Sequence, residues 1–248
     1  MNERPRPGRG EMPAGAHADE PHDARVGQRL NWLRAGVLGA NDGIVSTAGV
    51  VIGVAGATGS VIAIATAGVA ALVAGAFSMA GGEYVSVSTQ RDTERALIEK
   101  ERRELREMPQ EELEELTGLY RQRGLSADLA RRVAEELTAH DALAAHAEIE
   151  LRIDPEDYTS PWAAALSSFV SFAIGALIPL LMILLPVGDH RVWVAALAVV
   201  IGLLLTGWIS AALGGAPRIR AILRNVLMGS ATMAATYLIG TLFGVAVS

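Results

Sequence analysis

The chain has 248 residues, a formal net charge of −6, hydrophobic side chains at half its positions and no cysteine. The missing thiols exclude disulfides, zinc ribbons and thiolate sites for soft metals, so metal chemistry must use oxygen, imidazole or thioether donors. Charge is nearly absent from two long stretches, 35–82 and 161–248, and windows of roughly 20 apolar residues within them match a hydrocarbon core about 30 Å thick, which makes this an integral membrane protein.

In chain order, residues 1–28 are rich in Pro, Gly, Arg and acid. They lack an apolar core and a small-residue cleavage site, so they read as a disordered tail and not as a signal peptide. His17 and His22 lie in that tail as solvated side chains. Two apolar segments follow, Leu33 to Ala57 and Val61 to Ser88, separated by the short break "ATGS". Three more come late in the chain: Trp162 to Leu185, Val192 to Leu213 and Ala221 to Val247. Trp32, Trp162 and Trp193 fall near segment ends, where interfacial aromatics are expected. Gly39 and Gly43, and Gly49 and Gly53, stand at helix-packing spacing and offer weak support for an oligomer, although an Ala/Gly-rich segment also produces such pairs by chance.

Asp42 is the sole ionisable side chain from Ala35 through Gly82. It lies eight residues after Arg34, and Glu83 lies eight residues before Arg91, so both sit about 12 Å from the same end of antiparallel neighbours. Met79 stands one turn from Glu83 on the same face. Two carboxylates and a thioether can therefore converge, with Asn41 as a further oxygen donor. Acids within spans are rare and mark ion or proton paths. The plainer alternative is that Asp42 caps a helix broken at Gly43 and that Glu83 reaches the interface.

The segment from Gln90 to Ser160 differs in kind. With 19 acidic and 11 basic residues, it reads as a mostly helical domain inserted between the second and third spans. "EKERRELREMPQEELEELTGLYRQRG" places Glu101 and Glu104, then Glu112 and Glu115, at i, i+3 spacing, with a helix break at Pro109. A third helix, Ser126 to Ile153, carries His146 and Glu150 at i, i+4. Two such helices folded together can offer four carboxylates to one or two cations. On spacing alone, however, an ordinary solvated face with Glu/Arg pairs describes this stretch better. No Glu-x-x-His pair is present, which argues against a ferritin-like di-iron oxidase.

With the N-terminus in the cytoplasm, 20 of the 21 basic residues fall on that side and only Arg191 falls outside. The positive-inside rule therefore places the N-terminus and the insert in the cytoplasm and the C-terminus outside. A single lysine, Lys100, among the basic residues hints at a GC-rich bacterial genome, and hence at the bacterial cytoplasmic membrane.

"GANDGIVST", then "AGAFSMAGGEYVSVSTQRD", a glutamate-rich insert and three further spans closely resemble the vacuolar iron transporter family, which exchanges ferrous iron or manganese for protons. The resemblance runs from about Leu30 to the C-terminus. It implies an all-α polytopic membrane protein with five transmembrane helices and a helical cytoplasmic metal-binding insert between helices 2 and 3. The expected divisions are tail 1–28, helices 1–2 over 29–89, insert 90–160 and helices 3–5 over 161–248. By motif, Asp42 and Met79 correspond to pathway residues and Glu83 to the acid of the Gly-Glu step. Glu101, Glu104, Glu112 and Glu115 correspond to the insert's metal ligands, and Glu150 to the acid of its third helix. Plant members carry methionines where this chain has His146 and Ala147, and an imidazole there still suits Fe2+.

The family further implies a homodimer, no enzymatic activity and no prosthetic group. Fe2+, or Mn2+, Co2+ or Zn2+, is expected as substrate and bound ion; protons and the lipid bilayer complete the partners, and no nucleic acid is expected. The competing reading is a membrane-anchored metal buffer or sensor that binds without transport.

Overall fold

A computed structural model describes residues 25–153 and 159–247. The tail expected over 1–28 lies outside the described residues up to position 24, and Arg25 already begins helix α1 (Arg25–Ala57). Then come α2 (Val61–Glu107), α3 (Pro109–Gln122), α4 (Ala127–His146) with a π-type turn over Ala147–Leu151, α5 (Pro161–Ile183), α6 (Arg191–Gly214) and α7 (Arg218–Val247). No strand occurs among the described residues. Five of these helices, α1, α2, α5, α6 and α7, are long and apolar enough to cross a membrane, so the protein is an all-α membrane protein.

Local chemistry sets the boundaries. Ser60 starts α2 and Ser160 starts α5, each side chain accepting a hydrogen bond from the backbone N–H three residues on. Pro109 and Pro161 occupy first-turn positions, where a missing N–H is harmless. Gly215 ends α6 at φ 64°, a left-handed conformation that favours glycine. Between Ser60 and Met108 no proline interrupts the chain. Accordingly, α2 runs unbroken for 47 residues, about 70 Å, and continues well past its apolar part into the charged sequence that follows Gln90.

The membrane core is organised around α1. Ile44, Ala48, Val51 and Ile52 of α1 pack with Ile64 of α2, Leu180 and Ile183 of α5, Ala195, Val199 and Leu203 of α6, and Met233 of α7. Close crossings need small residues. A Cβ on Gly43 would overlap the Phe172 carbonyl of α5, and one on Gly53 would press on the Thr236 carbonyl of α7. Gly39 likewise faces Ser168 and Ser171, and Gly49 faces Thr232 and Thr236. These glycine pairs are thus used within one protomer, which removes the weak support they lent to an oligomer. Trp162 and Trp193 point outward near the ends of their spans, 73% and 75% exposed, as interfacial anchors do. At the end of the bundle remote from the insert, Arg191 Nη1 donates to the Gly59 carbonyl at 3.5 Å and ties two turns together.

Beyond the bundle, α3 and α4 form a small core of their own from Leu116, Ala134, Ala145 and Ile149, flanked by Leu113, Leu119, Tyr120 and Leu137. This pair closes against the charged half of α2.

Candidate metal centre

The insert's candidate ligands do not share one solvated face. Glu101 of α2 is 3% exposed, Glu112 of α3 is 5% exposed and His146 of α4 is fully buried. One donor atom from each lies within 4.8 Å of the others. His146 Nδ1 stands 2.9 Å from Glu101 Oε1, 3.6 Å from Glu112 Oε2 and 3.7 Å from Glu150 Oε2. Despite the 2.9 Å approach, Nδ1 and Oε1 are not aligned for a hydrogen bond, and both imidazole nitrogens and Glu101 Oε1 are buried without a hydrogen-bond partner. Unsatisfied buried polar atoms are rare and call for an explanation.

A shared cation supplies one. Nitrogen and oxygen ligands sit about 2.1 Å from a transition-metal ion, so neighbouring ligands in its shell lie roughly 3.0–3.5 Å apart. The separations around Nδ1, 2.9, 3.6 and 3.7 Å, bracket that range.

Electrostatics agree. The Glu101 carboxyl is pushed up to about 7, first by burial and then by the charges of Glu150, Glu112, Glu104 and Glu115. Glu112 is also raised, by burial and by Glu115, with His146 acting in the opposite direction. Several carboxylates forced together in a dry site favour a bound divalent ion. Glu112 gains some relief from its place in the first turn of α3, where the helix dipole favours negative charge.

Glu104 and Glu115 stand at the rim. Glu104 pairs with Lys100 Nζ at 2.9 Å, and that contact raises the Lys100 pKa; Glu115 is exposed. The i, i+3 pairs of the sequence therefore divide into an inner glutamate and an outer one on each helix.

Two features that the sequence reading missed aim His146. Asp141 leaves helical conformation at φ −158°, ψ 95°, and its Oδ1 accepts from the Ala144 N–H at 3.0 Å. It thereby caps a fresh helical segment that carries His146 and Glu150. Arg123, at the end of α3, donates to the Ile149 carbonyl at 3.2 Å and pins that segment down. The sequence signal was an aspartate three residues before a free N–H, a cap pattern hidden among good helix formers.

The membrane candidates lie apart from the insert. Along α2, Glu83 and Glu101 are 18 residues apart, about 27 Å. Asn41 and Asp42 are half-buried on α1, beside the Gly43 contact with the Phe172 backbone. The Phe172 ring lies over Gly75 of α2, and Met79, one turn on, packs with Ala76, Phe172 and Ala176. Gly43, next to Asp42 in sequence, and Met79 thus both meet Phe172 of α5. Asn41 Oδ1 is buried with no hydrogen-bond partner, and Glu83 is half-buried.

Comparison with known proteins follows the same lines. A sequence profile described as the VIT family matches residues 33–241. A protein named vacuolar iron transporter from Acanthamoeba castellanii is 42% identical over 224 residues, covering 90% of this chain and 82% of its own. Vacuolar iron transporter homolog 1 of Oryza sativa subsp. japonica is 38% identical over 221 residues, 87% of this chain and 75% of its own. Vacuolar iron transporter homolog 3 of Arabidopsis thaliana is 36% identical over 212 residues, 85% and 82% respectively. With most of its length matched on both counts, this chain belongs to the VIT family, a family of membrane transporters and not of enzymes.

Proposed function

We propose that the protein exports divalent iron, and manganese with it, from the bacterial cytoplasm in exchange for protons. The observation that carries this reading is the buried Glu101–Glu112–His146 group, built on a helix that runs on without a break into the membrane. In this scheme residues 90–160 form a cytoplasmic domain. Glu101, Glu112, His146 and Glu150 gather the cation, with Glu104 and Glu115 at the rim drawing it in. The ion then passes to Asn41, Asp42, Met79 and Glu83, and two chains work as a homodimer with the C-terminus outside.

Exchange requires only mutual exclusion. A carboxylate at membrane depth holds either a proton or a divalent ion, so a metal arriving from the cytoplasm expels the proton and a proton arriving from outside releases the metal. Met79 contributes a thioether that binds the ion and never titrates.

Reconstitution tests the reading. Proteoliposomes under an imposed pH gradient should move Fe2+, with Mn2+, Co2+ and Zn2+ compared alongside, and flux should collapse when the gradient is removed. Metal binding with no flux of any of these ions would overturn transport in favour of a membrane-anchored buffer.

A further inference from the structure

We propose that the outward face of the first turns of α7, with Trp208 of α6 near it, binds an anionic phospholipid whose headgroup phosphate is held by Arg220 and Arg224. None of these residues belongs to the candidate metal centre or to the membrane candidates on α1 and α2.

α6 ends and α7 begins at the end of the bundle that carries the insert, and the first two turns of α7 bear Arg218, Arg220 and Arg224. All three are exposed, and the chain holds no Asp or Glu after Asp189 to neutralise them. No side-chain hydrogen bond or ion pair joins any of them to another described residue; Arg218 alone makes a contact, with the Trp208 ring. Elsewhere exposed bases pair where an acid is at hand, as Arg102 does with Glu99 and Arg131 with Glu135. The α7 arginines therefore keep their charge for an anion from outside the chain.

A signal for topology needs only the charge and no particular face. Here the face is specific. Arg220, Arg224, Leu227 and Met228 stand at i, i+4, i+7 and i+8, one stripe of the helix, and its apolar members are 66% and 65% exposed. Arg224 lies six residues into α7 and Trp208 six residues before the end of α6, so both are about 9 Å from the same ends. That is the depth at which tryptophan and a long basic side chain reach the headgroups. The stripe is charged at the surface and apolar toward the bilayer centre, the same order of groups as in a phospholipid. Arginine also suits phosphate, because its planar fork meets two oxygens at once. Arg218, 5.8 Å from the centroid of the Trp208 ring, holds a third positive charge at the junction of α6 and α7. A protein helix on this stripe would have to bring its own acid to the membrane surface, whereas an anionic lipid brings the charge and the apolar chains together.

The experiment uses the full-length protein. Wild type in detergent, offered equal amounts of dioleoylphosphatidylglycerol and dioleoylphosphatidylcholine and examined by native mass spectrometry, should bind the anionic lipid about 5- to 30-fold more strongly, the range for one to two arginines near an anionic headgroup. Millimolar inorganic phosphate should not displace it, because a free anion lacks the chains. Arg220→Gln with Arg224→Gln should bring the preference close to one. Arg131→Gln with Arg132→Gln, which removes the same charge from α4, should leave it unchanged. Location is read separately: with Trp32, Trp162 and Trp193 changed to Phe, Trp208 fluorescence in bilayers should be quenched more by brominated phosphatidylglycerol than by brominated phosphatidylcholine.

Equal binding of the two lipids by wild type, equal quenching of Trp208, or displacement by phosphate would overturn the proposal. An equal loss in both double variants would do so as well, since it marks a diffuse surface charge and not a site. A changed subunit number in Arg220→Gln with Arg224→Gln, lipid preference intact, would assign the stripe to a second copy of the chain instead.

Discussion

Glu101 is held near neutrality at the expense of stability, and the amount can be worked out. Its carboxyl moves from 4.5 to about 7 on folding, and each unit is about 1.4 kcal/mol. Below pH 4.5 the group is protonated whether or not α3 and α4 are docked, so nothing is lost. Between 4.5 and 7 the undocked form sheds the proton while the docked form keeps it, and docking weakens as pH rises. Above 7 the full difference, about 3 kcal/mol, opposes docking in the metal-free protein. Glu101→Gln removes the charge and hence the penalty.

Amide hydrogen exchange of peptides from α3, in full-length protein with chelator, reads this directly as the ratio of wild-type to variant rates. At pH 8 the Gln variant should exchange a few hundredfold more slowly, whereas at pH 5 the ratio should fall to about fourfold. Saturating Mn2+ should protect the wild type and leave the variant nearly unchanged, because an ion that binds the docked form stabilises it. A ratio that is the same at both pH values would refute the account of Glu101.

Three other outcomes are expected. Gly43→Ala should lower the thermal midpoint in detergent, since the added methyl meets the α5 backbone and overpacking of this kind costs about 1–3 kcal/mol; Gly118→Ala, with open space beside it on α3, should leave the midpoint unchanged or raise it. Asp42→Asn should abolish proton movement during Fe2+ addition, followed by a pH-sensitive dye inside liposomes, while the insert still binds metal; wild-type flux would shift the coupling role to Glu83. Cysteines placed singly in this cysteine-free chain should react from outside at position 248 and only after permeabilisation at position 122, and equal labelling of both would refute the orientation.

The five spans were legible because a membrane helix is written in local composition, and the "ATGS" break between the first two and the helix break at Pro109 in the insert show in a single sequence. The metal centre was less so. The i, i+3 spacing placed Glu101 beside Glu104 and Glu112 beside Glu115, yet it could not tell that the first of each pair is buried and the second is not. That distinction depends on how α3 and α4 fold back on α2. The break at Asp141 was hidden for a related reason: "HDALAAH" is a good helical sequence, and its interruption is a tertiary demand that no neighbouring residue announces. Without it, His146 reads as one more polar position on a long amphipathic helix.

The unbroken course of α2 also makes it a ruler with an angular scale. Between Glu83 and Glu101 every residue adds about 1.5 Å and turns the helix by about 100°. A single residue inserted there would swing Glu101 away from His146, or Glu83 away from α1, even with every contact residue intact. Seven inserted residues would return almost to the starting angle, about 20° short of two full turns, and would displace the insert by only about 10 Å. Changes in the length of this rod are therefore tolerated by phase and not by size. The turn between α3 and α4 carries no such angular scale, and there the constraint is a contact, the Arg123 bond to the Ile149 carbonyl, which residues added beyond Gly124 leave in place.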